Sequence, residues 1–233
     1  LTSSLFDILI GEAPPECKTR LVTQHRMAVP IGELISATFY DGTLIHDPAP
    51  KLEPTTVPDS DRLVWFSTSR RSNRHEDNKN PGTSSSSNKL EAEQIAVLMK
   101  RLDEAITAGA YRRIDGRPLE VLVLSGYRRQ CTEIERALRR TKLTNIDPQV
   151  KTVDAVQGRE ADVVVFSVTR SNLAGELGFL SERFKGRTNV ALSRAREALW
   201  LVGDSDFSSA KDGPLRWVLD HIESGKGGRI EYL

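Results

Sequence analysis

The chain has 233 residues, with 33 Lys plus Arg against 32 Asp plus Glu and a net charge of +1. That near-balance excludes a polybasic coat or an acidic disordered tail as the whole protein, while 38% hydrophobic residues at this length suit one fold with a full core. No run of about 18 apolar residues occurs, so no membrane span is expected; the two distant cysteines, Cys17 and Cys131, form neither a metal-spaced pair nor a disulfide framework, which fits a reducing cytoplasm or nucleus.

The sequence opens at Leu1 with no signal-peptide pattern, and Leu5, Ile8 and Leu9 already read as helix, as expected of a piece of a longer protein. Ile31, Leu34, Ile35 and Phe39 recur at helical spacing and predict a helix over 29–39, stopped by the turn pair Asp41-Gly42. Leu63-Val64-Trp65-Phe66 is an apolar run suited to a buried strand. Residues 69–88 are polar and low in complexity, and predict a mobile loop. Ile95, Leu98, Met99, Leu102 and Ile106 mark a long helix. A strand is expected at 121–124, a helix through Cys131, Ile134 and Leu138, and a strand between Val150 and Val153. Further strands are expected at 163–166 and 199–202, with a helical stretch over 185–197 between them. Leu215, Val218, Leu219 and Ile222 mark a last helix, after which Gly225-Lys226-Gly227-Gly228 starts a flexible tail over about 224–233. Unbroken apolar strands alternating with amphipathic helices specify an α/β fold. It is a doubly wound, mainly parallel sheet with helices on both faces, in a single domain over 1–233.

Ligands of an open parallel sheet bind beyond the carboxyl ends of its strands. The segments Ser125-Gly126-Tyr127-Arg128-Arg129-Gln130, Asp154 to Glu160 and Thr169-Arg170-Ser171-Asn172 follow strands and are polar, and the first two bear glycine. A Ser-Gly pair before a helix offers backbone N–H groups to a phosphate. The charges are also clustered. Six basic residues over 125–142 face only Glu133 and Glu135, five over 183–196 face no acid, and 41–61 is acidic. Clustered arginine suits nucleotide or nucleic acid. No Gly-x-x-x-x-Gly-Lys-Ser/Thr phosphate loop occurs, no acidic pair follows a strand in the manner of a magnesium site, and the four histidines lack metal-ligand spacing. No Gly-x-Gly-x-x-Gly follows a strand, which sets aside a dinucleotide oxidoreductase.

Gln24-His25-Arg26-Met27 and Phe39-Tyr40-Asp41-Gly42-Thr43-Leu44 resemble helicase motif IV of the up-frameshift-type superfamily 1B helicases. Gly82-Thr83-Ser84 with Asn88 and Glu91-Ala92 resembles the stretch before a long helix there. Ser125 to Gln130 resembles the family's Thr-Pro-Tyr-x-x-Gln segment, Thr152 to Asp162 resembles motif V, and Gly178-Phe179-Leu180 with Asn189 to Arg196 resembles motif VI. The set occurs in the family's order over about residues 1–205. The resemblance implies the second, C-terminal RecA-like domain of an ATP-dependent DNA or RNA helicase. ATP with Mg²⁺ is then held mainly by a first RecA-like domain of the same protein, so this half alone does not hydrolyse ATP. It further implies that Arg26 and Arg194 are arginine fingers toward the γ-phosphate, and that Glu160, Gly158, Gln24 and Arg196 approach the nucleotide. Ser125, Tyr127, Thr152 and Asp154 line a track for single-stranded DNA or RNA, with backbone and hydroxyl contacts to phosphate. Arg196 also reads as the partner of an acid on a neighbouring element, and Tyr127 as packing at a helix start. Met27 and Phe39 read as core. The family's Thr-Pro is Ser125-Gly126 here, its Phe is Val156, its Tyr is His25 and its Thr is Ser193. The protein is expected to be an intracellular monomer, cytoplasmic or nuclear. The alternative is a stand-alone, non-enzymatic RecA-like module that binds nucleic acid or a protein.

Overall fold

Successive residues of a strand point to opposite faces of its sheet, so an unbroken apolar strand needs cover on both sides. The computed structural model, which describes residues 5–19, 21–53, 57–77, 85–156 and 158–233, provides that cover. In chain order the elements are α1 (Leu5–Glu12), β1 (Thr23–Gln24), α2 (Val29–Phe39), β2 (Ile45–His46), α3 (Asp59–Arg62) and β3 (Leu63–Ser67). They continue with α4 (Lys89–Thr107), β4 (Val121–Ser125), α5 (Arg128–Arg139), β5 (Gln149–Thr152), β6 (Ala161–Ser167) and α6 (Lys185–Leu192). The last are β7 (Ala195–Gly203), α7 (Ser205–Ser209), α8 (Pro214–Glu223) and β8 (Arg229–Tyr232). Six strands form one sheet in the order β5-β4-β6-β7-β3-β8, with every pairing parallel. This is the doubly wound, RecA-like arrangement expected.

Leu63, Trp65, Leu122, Leu124, Val164, Phe166, Leu199 and Leu201 face α2, α6 and α8 on one side of the sheet. The alternate residues, Val64, Phe66, Val121, Val123, Val163, Val165, Trp200 and Val202, face α4 and α5 on the other. The two-residue pair β1–β2 stands apart and sets Gln24 beside His46. No helix among the described residues is long and apolar enough to cross a membrane.

Three expectations change. The helix predicted over 185–197 ends at Leu192, and β7 starts at Ala195. The charges of Arg196 and Glu197 mask the strand pattern there because both are ion-paired, Glu197 with buried Arg62 at 2.7 Å. The ends of the 69–88 loop are pinned rather than loose. Asp77 N–H donates to Ser87 O at 2.6 Å, Asn88 Nδ2 to Arg74 O at 2.8 Å, and Ser86, Ser87 and Asn88 are buried. Its centre, 78–84, with the Gly82-Thr83-Ser84 resemblance, lies outside the described residues.

The expected tail likewise becomes an edge strand, with Arg229 to Tyr232 in register with Val64 to Ser67. Gly228 lets it dock: φ is 81°, and a Cβ there would sit 2.6 Å from Leu63 O. Gly228→Ala is therefore expected to unseat β8 at a cost of about 1–3 kcal/mol, read by thermal unfolding. Gly225→Ala is the control, because φ is 73° there but a Cβ meets open space. Equal losses at the two glycines would mean that strain alone, and not the Leu63 contact, decides.

Candidate functional site

The polar residues gather at opposite ends of the strands. At the amino ends of β6 and β7, where Ala161 pairs with Ala195, three arginines and three acids meet. The turn before α2 docks there, Ala28 N–H donating to Arg196 O at 2.6 Å. Gln24 shapes that turn. Its Oε1 accepts from Arg26 N and Met27 N at 3.0 and 2.8 Å, and its Nε2 donates to Met27 O at 2.9 Å. Arg26 is thereby aimed at Glu160, with Nε donating to Oε2 at 2.7 Å and Nη1 to Ser193 O at 3.1 Å. Partial burial works to raise the Glu160 pKa, but the hydrogen bond and charge of Arg26, with Arg196 behind it, hold the carboxyl below the usual carboxylate range.

Arg194 differs from its neighbours. It donates to two carbonyls, Val190 O at 2.8 Å and Arg159 O at 3.3 Å, and has no carboxylate in ion-pair contact among the described residues. Burial, then the charge of Arg26, push its pKa down against the pull of Glu160. A guanidinium stays charged regardless. A half-buried cation beside a second cation, served only by carbonyls, is an arrangement that an anion completes. A cavity of about 440 Å³ runs from Arg194, past Val190 and Gly158, to Asp154 and Arg187.

The carboxyl ends of the strands present a row of small hydroxyls. Thr152, Ser125 and Ser167 are in register across β5, β4 and β6, and Ser67 ends β3. Near the outer end of this row, Arg187 sits 3.4 Å from Asp154 and over the rings of Phe184 and Phe179, which stack with centroids 6.4 Å apart. At about 3.3 Å per residue the seven-residue β6 holds its own two ends about 20 Å apart, and the cavity lies along α6 between the two edges.

A family model described as an AAA domain matches residues 1–206, most of the chain and both clusters. The chain belongs to the AAA domain family. DNA polymerase alpha-associated DNA helicase A of Schizosaccharomyces pombe is 31% identical to this AAA domain over 216 residues, covering 87% of this chain and 30% of that protein. Regulator of nonsense transcripts 1 homolog of Neurospora crassa is 31% identical over 216 residues, covering 88% and 18%. Helicase sen1 of Schizosaccharomyces pombe is 28% identical over 201 residues, covering 82% and 11%. The chain thus spans between 11% and 30% of these relatives' lengths. Their names agree with the resemblance of its motifs to up-frameshift-type superfamily 1B helicases.

The AAA domain brings Arg26, Arg194, Glu160 and Arg196 together, with Gly158 on the segment leading to them. This cluster does not lie beyond the carboxyl ends of the strands, where the Asp154 to Glu160 segment was expected. That segment leaves the carboxyl end of β5 and returns to the amino end of β6, so only its first residues stay at the carboxyl edge. Gln24 orients Arg26 with both atoms of its amide engaged. Arg196 is occupied by acids, with Nη2 2.9 Å from Asp162, Nη1 3.4 Å from Glu160, and Glu120 closer still. Thr152 is half-buried and Asp154 exposed at the carboxyl edge. Ser125 and Tyr127 are buried, which takes their hydroxyls out of reach of a strand. Ser125 Oγ bonds Thr169 Oγ1 and accepts Tyr127 N–H, and Tyr127 Oη accepts Phe179 N–H. Met27 is buried and Phe39 packs against the same core.

The roles of several residues of this AAA domain were not legible in the sequence. Asp162 is one, and its signal was a lone acid within an apolar strand. Thr169 and Gln130 stand in segments the sequence singles out, but without a role of their own; Phe184 and Arg187 were given none, although the cation–aromatic spacing Phe184-x-x-Arg187 was available as a weak signal.

Proposed function

We propose that this chain is the second motor domain of an ATP-dependent nucleic-acid helicase, reaching the far phosphate of ATP from its amino edge and single-stranded DNA or RNA from its carboxyl edge. The observation that carries the reading is Arg194, a half-buried cation with no carboxylate in ion-pair contact among the described residues, set beside Arg26. The residues fit a triphosphate's end. Arg26 and Arg194 would bind γ-phosphate oxygens, with Glu160 and Gln24 fixing the angle of Arg26, and Gly158 would let the backbone approach. ATP bound there supplies a phosphoryl group for transfer to water. The two guanidiniums stabilise the charge that develops on it. Magnesium and the body of the nucleotide belong, in this reading, to a first RecA-like domain of the same protein, inside the nucleus or cytoplasm.

At the other edge, Thr152, Asp154, the backbone of the Ser125–Tyr127 turn and the Arg187–Phe184 cluster form the strand track. Buried Ser125 and Tyr127 shape the turn rather than touch phosphate. Guanidinium beside aromatic faces suits a backbone phosphate with a stacked base.

The test is ATP hydrolysis measured with magnesium, with and without single strand. The intact protein is expected to hydrolyse ATP faster when a strand is added, and residues 1–233 alone to show no turnover. Strand-stimulated turnover by 1–233 alone would place the whole catalytic site in this chain and reject the half-site reading.

A further inference from the structure

Glu91 stands in the first turn of α4 with its side chain enclosed at the carboxyl edge, and neither cluster described above uses it. Its Oε2 accepts Ser167 Oγ at 2.6 Å and Thr169 N–H at 2.8 Å, whereas its Oε1 is buried without a partner among the described residues. Thr169 is strained, with φ 69° in a β-branched residue. That conformation persists only where the surroundings impose it, and here Glu91 grips the strained residue's own N–H.

From Thr169 a chain of contacts leads outward. Thr169 Oγ1 bonds Ser125 Oγ at 2.9 Å, and Ser125 Oγ accepts Tyr127 N–H at 3.1 Å. Tyr127 Oη accepts Phe179 N–H at 3.1 Å, and Phe179 stacks on Phe184 beneath Arg187. Gln130 braces the inner end. Its Nε2 donates to Ser167 Oγ at 2.9 Å and to Asn88 O at 3.1 Å, and its Oε1 accepts Asn88 N–H at 2.6 Å. Each link is a directional hydrogen bond or ring contact, so moving the Glu91 end disturbs the exposed end.

We propose that Glu91 is a positioning residue for single-strand binding, which through Thr169 and Ser125 fixes the Ser125–Tyr127 turn and the Phe179–Phe184–Arg187 cluster in the geometry that accepts a nucleic-acid backbone. This rests on the strand reading of that edge. Protonation of Glu91 decides whether the positioning holds. Burial, opposed by the Ser167 and Thr169 hydrogen bonds and reinforced by the charges of Asp204 and Glu76, pushes its pKa up to about 8. At pH 7 the group is neutral. Above about 8 a charge falls on a carboxylate whose second oxygen has no donor, and its neighbours must shift to solvate it. The other charged groups around it are neutralised in pairs. Asp204 lies 3.0 Å from Arg74 and Glu76 3.2 Å from Arg170, while the Nδ1 of His75 lies 3.2 Å from Ser171 Oγ.

The test measures binding of a labelled single strand of about 20 thymidines, longer than one domain's track, to the intact protein from pH 7 to pH 9. The wild type is expected to weaken about ten-fold across this range, the size of an ordinary coupling between sites, with its midpoint near the carboxyl's pKa of about 8. Glu91→Gln, a neutral isostere that still accepts from Thr169 N–H, is expected to bind no more weakly at pH 9 than at pH 7. Thr169→Gly accommodates the positive φ but cuts the link to Ser125, and is expected to bind about five-fold more weakly than wild type at pH 7 and to show no further step up to pH 9, without a lower melting temperature. A flat wild-type profile, the same step in Glu91→Gln, or wild-type affinity in Thr169→Gly each overturns the positioning role and leaves the strand site standing. A wild type that binds no strand overturns both.

Discussion

Arg194→Ala is expected to slow ATP turnover by the intact protein about a thousand-fold or more, the range in which a missing arginine finger acts, and to leave the fold and strand affinity nearly unchanged. The fold is spared because of what Arg194 touches. Its hydrogen bonds go to the carbonyls of Val190 and Arg159, so its removal strands no buried carboxylate, and a loss of about 1 kcal/mol is in order. Turnover suffers because Arg26 cannot take over. Its Nε and Nη1 are engaged by Glu160 and Ser193 O, and one guanidinium does not cover the charge that two would share as the phosphoryl group transfers. Steady-state hydrolysis, strand binding and a melting curve on the same preparation separate these effects. Turnover within a few-fold of wild type, in a protein that melts normally, would remove Arg194 from the reaction.

The two-edged layout explains which parts of the site were legible in the sequence. The rule that ligands gather beyond the carboxyl ends of parallel strands identified the Ser125 turn and Asp154 correctly as edge positions. It assigned Glu160 to the same edge because the sequence shows only that 153–160 follows one strand and precedes another. A connection of that length can return to the amino edge along the sheet's face, and this one does, with Val153 and Val156 buried against the α2–α6–α8 side. The ordered motifs, not the edge rule, brought Arg26, Glu160 and Arg194 into one group.

The strand and helix pattern was legible wherever apolar residues alone set the period: β3, β4, β6, α2, α4 and α8 all lie where the spacing put them. It failed where polar residues are inside. Arg196 and Glu197 hide the start of β7 because each is neutralised by a partner far away in sequence. Ser86, Ser87 and Asn88 read as loop because they are held by Arg170, Asp77, and Gln130 with Arg74, respectively, on other segments. β8 was missed because an edge strand of Arg-Ile-Glu-Tyr, preceded by Gly227-Gly228, has little apolar signal and takes its order from the neighbouring β3.

Asp162 gives the largest stability effect expected of a single side chain here. Its side chain is fully enclosed and its oxygens hold three residues at once. Oδ2 accepts Arg113 Nη1 at 2.5 Å and Glu120 N–H at 2.9 Å, and Oδ1 accepts Arg196 Nε at 3.1 Å. Replacing Asp162 with alanine leaves Arg113, whose side chain is 3% exposed, with Asp115 alone, and leaves Glu120 N–H without its acceptor. Breaking a buried pair from one side typically costs about 3–5 kcal/mol, or on the order of 10 °C in melting temperature at this size. The cost comes from the cation left behind, so Arg113→Ala in the Asp162→Ala background is expected to return part of the loss. A double-mutant cycle by urea denaturation measures that return. Additive losses would mean that Asp162 acts through Glu120 and Arg196 instead. Because Asp162 lies two residues beyond Glu160 and grips Arg196 beside it, partial restoration of stability without restoration of ATP turnover is the further result expected. Arg113 pairs with Asp162 and Asp115 and with neither finger, whereas the Asp162 to Arg196 contact sets the amino edge on which Arg26 and Arg194 meet.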